Sequence, residues 1–456
     1  RVFDNWCNEA GHLLQHATAA EIDAVAEEFV HAGPFFVLNL ANGNPIIVET
    51  NTLQMEEEGE HYRPAPLFRS VASWEVPGPS NPVAVDAEVA AVIRDRLLGV
   101  LFSQTVDISD RAIGSLADLE LGCRLALGFK KGPLTLMRES GDTEVERVLG
   151  RFGTERKGMP LPTRPLSEYQ RFRRHVVVDA INDVVVLTIR RPQALNALDD
   201  DVNDELLAVI EEHEHDPSVA GFVITGYGTR SFCAGADIGR FPSMLGDAAA
   251  SAQYARDCSR LLVHLDAMTK PVVAALNGMA LGGGLELAFR CHGIVAHESA
   301  WLQLPETTLG IAPGIGAMVV PYHRWPAAAG VFHDMIRAGV RLEAAEALGL
   351  GIVDGIAPSA ESLVSLAVAR VHDLVGEVTR VPDGPVTLPA FSGLDFAASE
   401  HAKLDKEVVT IIEQAIVEAA AAPSLTAALE VGYAAFGATA CTAAAKERIG
   451  AFVSAG

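Results

Sequence analysis

The chain is poor in positive charge. Its 456 residues include 35 lysines and arginines against 59 aspartates and glutamates, a formal net charge of −24. A surface of that sign repels polyphosphate backbones and anionic headgroups, which argues against a nucleic-acid or membrane-surface partner. Cysteine is also scarce. The six (Cys7, Cys123, Cys233, Cys258, Cys291 and Cys441) are scattered and form no CxxC pair. That excludes a zinc site of the usual spacing and a disulfide framework, fits a reducing compartment, and sets a cytoplasmic location as the expectation. No apolar run is long enough to span a bilayer, and no signal peptide opens the chain, whose first residue is Arg1. Residues 1–170 lack a strand–GxGxxG–helix unit, and "GLGIVDG" (Gly349 to Gly355) has the wrong spacing behind a helical pattern, so no dinucleotide site is expected. The histidines show no metal-ligand spacing. "EEHEHD" (Glu211 to Asp216) reads as a solvated helix end, and no metal or tightly bound cofactor is expected.

Apolar residues make up 49% of the chain, enough for a large core, and the length suggests two or three domains. A seam, "RFGTERKGMPLPTRPLSEYQRFRR", is rich in proline and basic residues and has no apolar period. It divides the chain into residues 1–150, a linker at 151–173, and residues 174–456. The first part reads as helical. "AAEIDAVAEEFVHAG" puts Ile22, Val25, Ala26 and Phe29 on one helix face and is expected to stop at Gly33-Pro34. "LADLELGCRLALGFKKGPLTL" repeats the pattern up to Gly132-Pro133, as in a divergent duplication of a helical unit. After the seam, two β-branched runs flank Asn182-Asp183, a hairpin signal. "VAGFVITGYG", "KPVVAALNGMA" and "GIVAHESAWLQL" read as buried strands, "DVNDELLAVIEEHEHD" as a helix, and the chain from about Leu404 as helices. Strands alternating with helices give an α/β architecture.

The chemistry concentrates in "LGGGLELAF" (Leu281 to Phe289), where three glycines precede a glutamate in apolar surroundings. Glycine lets a ligand approach the backbone, and a helix starting there directs unpartnered N–H groups at it. Such donors can hold negative charge developing on a carbonyl oxygen. Glu286 falls in the first turn, beside the same pocket. Twenty residues on, Glu306 follows a proline in "LQLPETTLGIAPGIG". Two partly buried carboxyls near one oxyanion site make an acid/base pair. "SFCAGADIG" (Ser231 to Gly239) supplies a small-residue loop for a second N–H donor. Cys233 within it lacks a histidine partner and is expected to be a small buried filler.

The motifs "LNALD", "FCAGADI", "NGMALGGGLELA" and "LPETTLGIAPGIG", in that order and spacing, resemble the crotonases, the enoyl-CoA hydratase/isomerase superfamily, from about Val176 to the C-terminus. The resemblance implies an α/β crotonase fold, a ClpP-like spiral of β-β-α units, acting as a 2-enoyl-CoA hydratase on an acyl-CoA thioester. It places Ala236 and Gly283 at the oxyanion hole, Glu286 as the base that deprotonates the attacking water, and Glu306 as the acid that protonates the α-carbon. It sets Leu195, Asn196, Ala197, Leu198, Ala234, Asp237, Ile238, Gly282 and Gly284 along the CoA thioester. Gly239 stands where many relatives have lysine, and Arg240 is expected to supply that charge. "CHG" (Cys291 to Gly293) and "GIGAMVVPYHRW" also depart from common family sequences.

"NEAGHLL…AAEID…AGPFFVL" and "ADLELGCRLALGFKKGPLTL" resemble, twice over, the C-terminal helical domain of 3-hydroxyacyl-CoA dehydrogenases. This implies an all-α N-terminal domain and a fused dehydrogenase–hydratase of fatty-acid β-oxidation whose NAD-binding domain would lie upstream, so that NAD enters only with that domain. The crotonase resemblance further implies a homo-oligomer, a trimer or hexamer. The alternatives are a crotonase-fold isomerase, an acyl-CoA hydrolase, or a non-catalytic scaffold module of a fatty-acid oxidation complex.

Overall fold

Two glycine–proline pairs organise the first part of the chain. In the computed structural model, which describes residues 1–79, 81, 83–398 and 404–455, Gly33 and Gly132 are N-caps rather than helix ends. Pro34 and Pro133 open the helices Pro34–Ala41 and Pro133–Ser140. Proline suits the first helical position because the N–H it lacks would have no intrahelical acceptor. The free amides of each first turn are met by a carboxylate from the helix before. Asp23, on Ala19–Ala26, accepts from the N–H groups of Phe35 (2.9 Å) and Phe36 (2.8 Å). Glu120, on Leu116–Leu125, accepts from those of Leu134 (2.9 Å) and Thr135 (3.4 Å). A methyl group on Gly33 would stand 2.3 Å from Asp23 Cγ, and one on Gly132 would stand 2.2 Å from Glu120 Cδ, so a side chain at either position would displace its capping carboxylate. The two devices meet at an antiparallel bridge between Val30 and Phe129. The helix expected to run to Gly33 therefore ends at Ala26, and Val30 reaches the core from the bridge.

With the helices Val2–Leu13, Asn44–Glu58, Ala87–Asp110 and Asp142–Glu155 these elements build a compact unit, Arg1–Arg174, around Trp6, Phe35, Phe102, Phe129 and Phe152. Residues 151–173, expected to be a linker, belong to this unit. Helix Asp142–Glu155 runs into them, and Leu166 and Tyr169 are buried in the core. Tyr169 Oη donates to Asp110 at 2.7 Å. The prolines and arginines of this stretch mask its apolar anchors, which also include Phe152 and Met159.

The second unit is His175–Gly456. Its larger sheet contains β1 (Val176–Ile181), β2 (Val184–Ile189), β3 (Gly221–Gly226), β5 (Val272–Leu276), β7 (Gly293–His297) and β10 (Gly355–Ala357), side by side in that order. β1 and β2 form the antiparallel hairpin, and the other neighbours pair in parallel. Alternation sends Val184, Val186, Val223, Val273 and Val295 to one face, under helix Ala360–Leu374. Leu187, Ile189, Ile224 and Ile294 go to the other face and the main core. Strands buried on both faces read as continuous β-branched runs, which is why the sequence shows them clearly. The smaller sheet has the order β4 (Ser231–Cys233), β6 (Met279–Leu281), β8 (Trp301–Gln303), β9 (Leu342–Glu343). "GIVAHESAWLQL" is thus two strands, β7 and β8, which fall in different sheets on either side of the turn at Glu298-Ser299. The helices Lys406–Ala420, Leu425–Thr439 and Ala443–Ala455 follow at the end of the unit. No helix among the described residues is long and apolar enough to cross a membrane.

Candidate active site

The small sheet assembles the site. β4, β6 and β8 run parallel, so their carboxyl ends emerge along one edge, where ligands bind in open parallel sheets. β4 leads into Ala234–Asp237, β6 into Gly282–Gly284, and β8 through Pro305 into Glu306. The first loop is held by Leu198, which forms a parallel bridge with Ala236: Leu198 N–H donates to Gly235 O (2.8 Å) and Asp237 N–H to Leu198 O (2.7 Å). A parallel bridge uses the groups flanking its central residue, so the N–H of Ala236 itself points away from Leu198. The N–H of Gly283, in the first turn of helix Gly282–Arg290, has no intrahelical acceptor. The two loops touch: a Cβ on Gly235 would stand 3.5 Å from Gly283 N, and one on Gly283 would stand 3.5 Å from Ala236 N. At Gly235 the approach is tightest, with φ +98° and a Cβ that would stand 3.1 Å from Leu281 O.

Glu306 lines the pocket with Ala236, Gly282 and Gly283. Gly282 has φ +46°, and a methyl group there would lie 2.6 Å from Glu306 Oε1. Glu306 Oε2 is buried without a hydrogen-bond partner. Glu286 is 2% exposed and is not part of the pocket lining; it adjoins two residues that are, Gly283 one turn back and Ile315. Its Oε1 accepts from the N–H groups of Ile315 (2.9 Å) and Ala317 (2.7 Å). Burial pushes the Glu286 carboxyl up to about 7, against the opposing pull of those amides and of the Arg290 cation. Burial and the negative charge of Glu286 push Glu306 higher, to about 8. The pair therefore favours one carboxylate, on Glu286, and one acid, on Glu306. A reaction that needs this combination has a narrow pH optimum. kcat/KM is expected to fall as pH drops through about 7 and Glu286 takes up a proton, and to fall again as pH rises through about 8 and Glu306 loses one. A rate profile lacking either limb contradicts the pairing.

Of the other residues singled out in the sequence, Leu198, Ala234 and Ile238 line the pocket. Leu195 and Asn196 form a turn with φ +50° and +61°. Asn196 is 1% exposed, and its Nδ2 donates to Tyr227 O (3.0 Å) and Ser231 O (2.8 Å), tying the turn to β4. Ala197 is buried beside them. Gly284 packs on Cys233, where a Cβ would come within 2.5 Å of Sγ. Burial pushes the Cys233 thiol up to about 12, which leaves it a filler rather than a nucleophile. Asp237 accepts from Gly239 N–H (3.1 Å) and pairs with Arg191 (2.9 Å). Arg240 is exposed, paired with Asp200 and set over the Tyr254 ring. The sequence reading missed Arg191, which binds Asp199, Asp237 and Ala197 O (2.7 Å) and so joins the turn after Leu195 to the Ala234–Asp237 loop. It also missed the amides of Ile315 and Ala317. The only signal for these was the glycine spacing in "PGIG". Phe241, Tyr254 and Phe436, which wall the pocket with edge-to-face rings, carried no motif.

Comparison with known proteins places the region that carries this site in a family. Residues 179–381 match the family model described as enoyl-CoA hydratase/isomerase. The short-chain-enoyl-CoA hydratase of Clostridium acetobutylicum is 35% identical over 187 residues, 41% of this chain and 70% of that protein. The mitochondrial enoyl-CoA hydratase of Pongo abelii is 33% identical over 234 residues, 50% of this chain and 75% of that protein. In fold, a carnitinyl-CoA dehydratase from Mycobacterium thermoresistibile superposes with a TM-score of 0.51 at 21% identity, covering 61% of this chain and 89% of that one. The similarity extends over most of the length of proteins with this fold, and the chain belongs to the enoyl-CoA hydratase/isomerase family.

Proposed function

We propose that the unit His175–Gly456 adds water across the C2–C3 double bond of a 2-enoyl-CoA. What supports this is the contact between the loops that carry the Ala236 and Gly283 amides, beside two buried carboxyls, of which Glu306 holds its proton the more tightly. The thioester oxygen would accept from both amides, which stabilise the enolate formed when water attacks C3. Glu286 takes the proton from that water as its oxygen bonds to C3, and Glu306 gives its proton to C2. Glu286 ends protonated and Glu306 ionised, and proton exchange restores the starting state. The same reading sets Arg240 and the turn Leu195 to Leu198 toward the CoA portion. The assay is the loss of ultraviolet absorbance of the conjugated thioester.

A second reading rests on one observation: Glu306 lines the pocket and Glu286 does not. One carboxyl can carry a proton between C2 and C4, so a 3-enoyl-CoA to 2-enoyl-CoA isomerase needs only Glu306. Isomerisation retained in Glu286→Gln, with no hydration by the unaltered chain, favours it.

For Arg1–Arg174 we propose a duplicated helical unit like the C-terminal domain of 3-hydroxyacyl-CoA dehydrogenases, in a bifunctional protein of fatty-acid oxidation. Its repeated carboxylate-capped Gly-Pro device supports the duplication. Among its described residues there is no sheet to hold a nicotinamide cofactor, so this chain is expected not to reduce NAD with 3-hydroxybutyryl-CoA. Turnover above background in a fluorescence assay for reduced cofactor contradicts that. We further propose a cytoplasmic location and a trimer or hexamer. Sedimentation showing only monomer at micromolar concentration counts against the assembly.

A further inference from the structure

Arg290 lies one helical turn beyond Glu286, and its guanidinium is almost wholly buried, 1% exposed. Residues four apart share a helix face, so both side chains reach the same loop, Ala312 to Met318. They meet there on one residue. Ile315 N–H donates to Glu286 Oε1 (2.9 Å), and Ile315 O accepts from Arg290 Nη1 (3.2 Å). The next residue, Gly316, has φ +134°, and a methyl group on it would stand 3.0 Å from Arg290 Nη1. The loop is thus moulded on the guanidinium. Asp266, on helix Arg260–Ala267, holds the other side of the fork: Arg290 Nε donates to Oδ1 (2.8 Å) and Nη2 to Oδ2. The fixed planar fork determines where Nη1 points, a role the point charge of a lysine does not fill.

We infer that the Asp266–Arg290 pair is a positioning device for Glu286, fixing through Ile315 the loop whose amides orient that carboxylate. The pair touches no reacting atom. It acts by geometry, holding two donors on Glu286 Oε1, and by field, placing a buried cation near a carboxylate. The other groups facing this cluster are Glu306 beyond Glu286, Arg324 beyond Arg290, and, around the cleft that Asp266 lines, Tyr433, Glu430, Arg256, Arg260 and Arg380. Burying a charge is costly without a partner, which accounts for the presence of Asp266.

The inference rests on the acid/base reading of Glu286, and the test separates the two. Arg290→Met leaves Asp266 in place and removes the cation, so Glu286 binds its proton more tightly. The acid limb of kcat/KM is expected to move to higher pH, with kcat down on the order of 10²-fold and KM little changed, as for a reacting group displaced by about 1 Å. Arg290→Lys keeps the charge and loses the fork. It is expected to restore the limb but not the full kcat. Asp266→Asn removes a negative charge and is expected to shift the limb the opposite way, to lower pH. These opposite shifts read the field alone, and the positioning role is read in the kcat that Arg290→Lys leaves unrestored although the charge is kept. The same midpoint is read without turnover by infrared titration of the Glu286 carboxyl, assigned by difference from Glu286→Gln. This readout holds even if the unaltered chain hydrates nothing. An Arg290→Met protein that folds with unchanged kcat and midpoint overturns the inference. Should that variant not fold, an unchanged midpoint in Asp266→Asn overturns it equally.

Discussion

Glu286→Gln and Glu306→Gln are each expected to lower kcat for hydration by about 10²–10⁴-fold, the range that a positioned general acid or base contributes. The substitutions keep shape. A glutamine at 286 still offers an oxygen to the amides of Ile315 and Ala317, so the loop and acyl-CoA binding persist. What is lost is the ability to accept a proton from water. At 306 what is lost is the proton given to C2. The double variant is expected to lose less than the product of the single effects, because the two groups act in one reaction and its residual rate comes from the oxyanion donors. Glu286→Gln has a further consequence. Its charge helps hold Glu306 protonated, so any residual activity is expected to lose its basic limb at lower pH. Either single variant retaining near-normal turnover would remove the two-carboxyl mechanism.

Gly282→Ala is expected to be nearly as damaging without touching an ionisable group. The residue has φ +46°, a conformation that costs a side chain roughly 1–2 kcal/mol. The added methyl would also stand 2.6 Å from Glu306 Oε1, so either the carboxyl or the helix start must move. The helix start carries the amide of Gly283. Displacement of about 1 Å at a reacting group costs on the order of 10²-fold, and kcat is expected to fall by that much with a smaller change in KM. Gly283→Ala provides the contrast. A Cβ there meets nothing closer than 3.5 Å, so this substitution is expected to be the milder of the two. Equal effects at 282 and 283 would mean that Glu306 does not depend on the glycine beside it.

What could be read from the sequence follows from how local each feature is. The glycines of 282–284 and the carboxyls of Glu286 and Glu306 lie within 25 residues, and a strand–turn–helix pattern places them. The hairpin at Asn182-Asp183 was legible from its two β-branched runs although β1 is half exposed, and the later valine-rich strands because both of their faces are buried. Gly33-Pro34 was misread because the pair is compatible with ending one helix and with starting another. Which applies depends on Asp23 reaching across to cap it. The stretch 151–173 hid Leu166 and Tyr169 among prolines and arginines. The clamps of the site are long-range. Arg191 bonds to Asp237, 46 residues on, and Arg290 to Asp266 on a different helix. No periodicity connects such residues, and only the fold brings them together.

In the mechanism proposed, two amides and two buried carboxyls of one unit hydrate an enoyl thioester. Adding the purified chain to a short 2-enoyl-CoA and following the ultraviolet absorbance of the conjugated thioester tests it most directly. The expected result is a catalytic loss of absorbance with a product heavier by one water, abolished in Glu286→Gln and Glu306→Gln. Unchanged absorbance in the presence of bound thioester would contradict it.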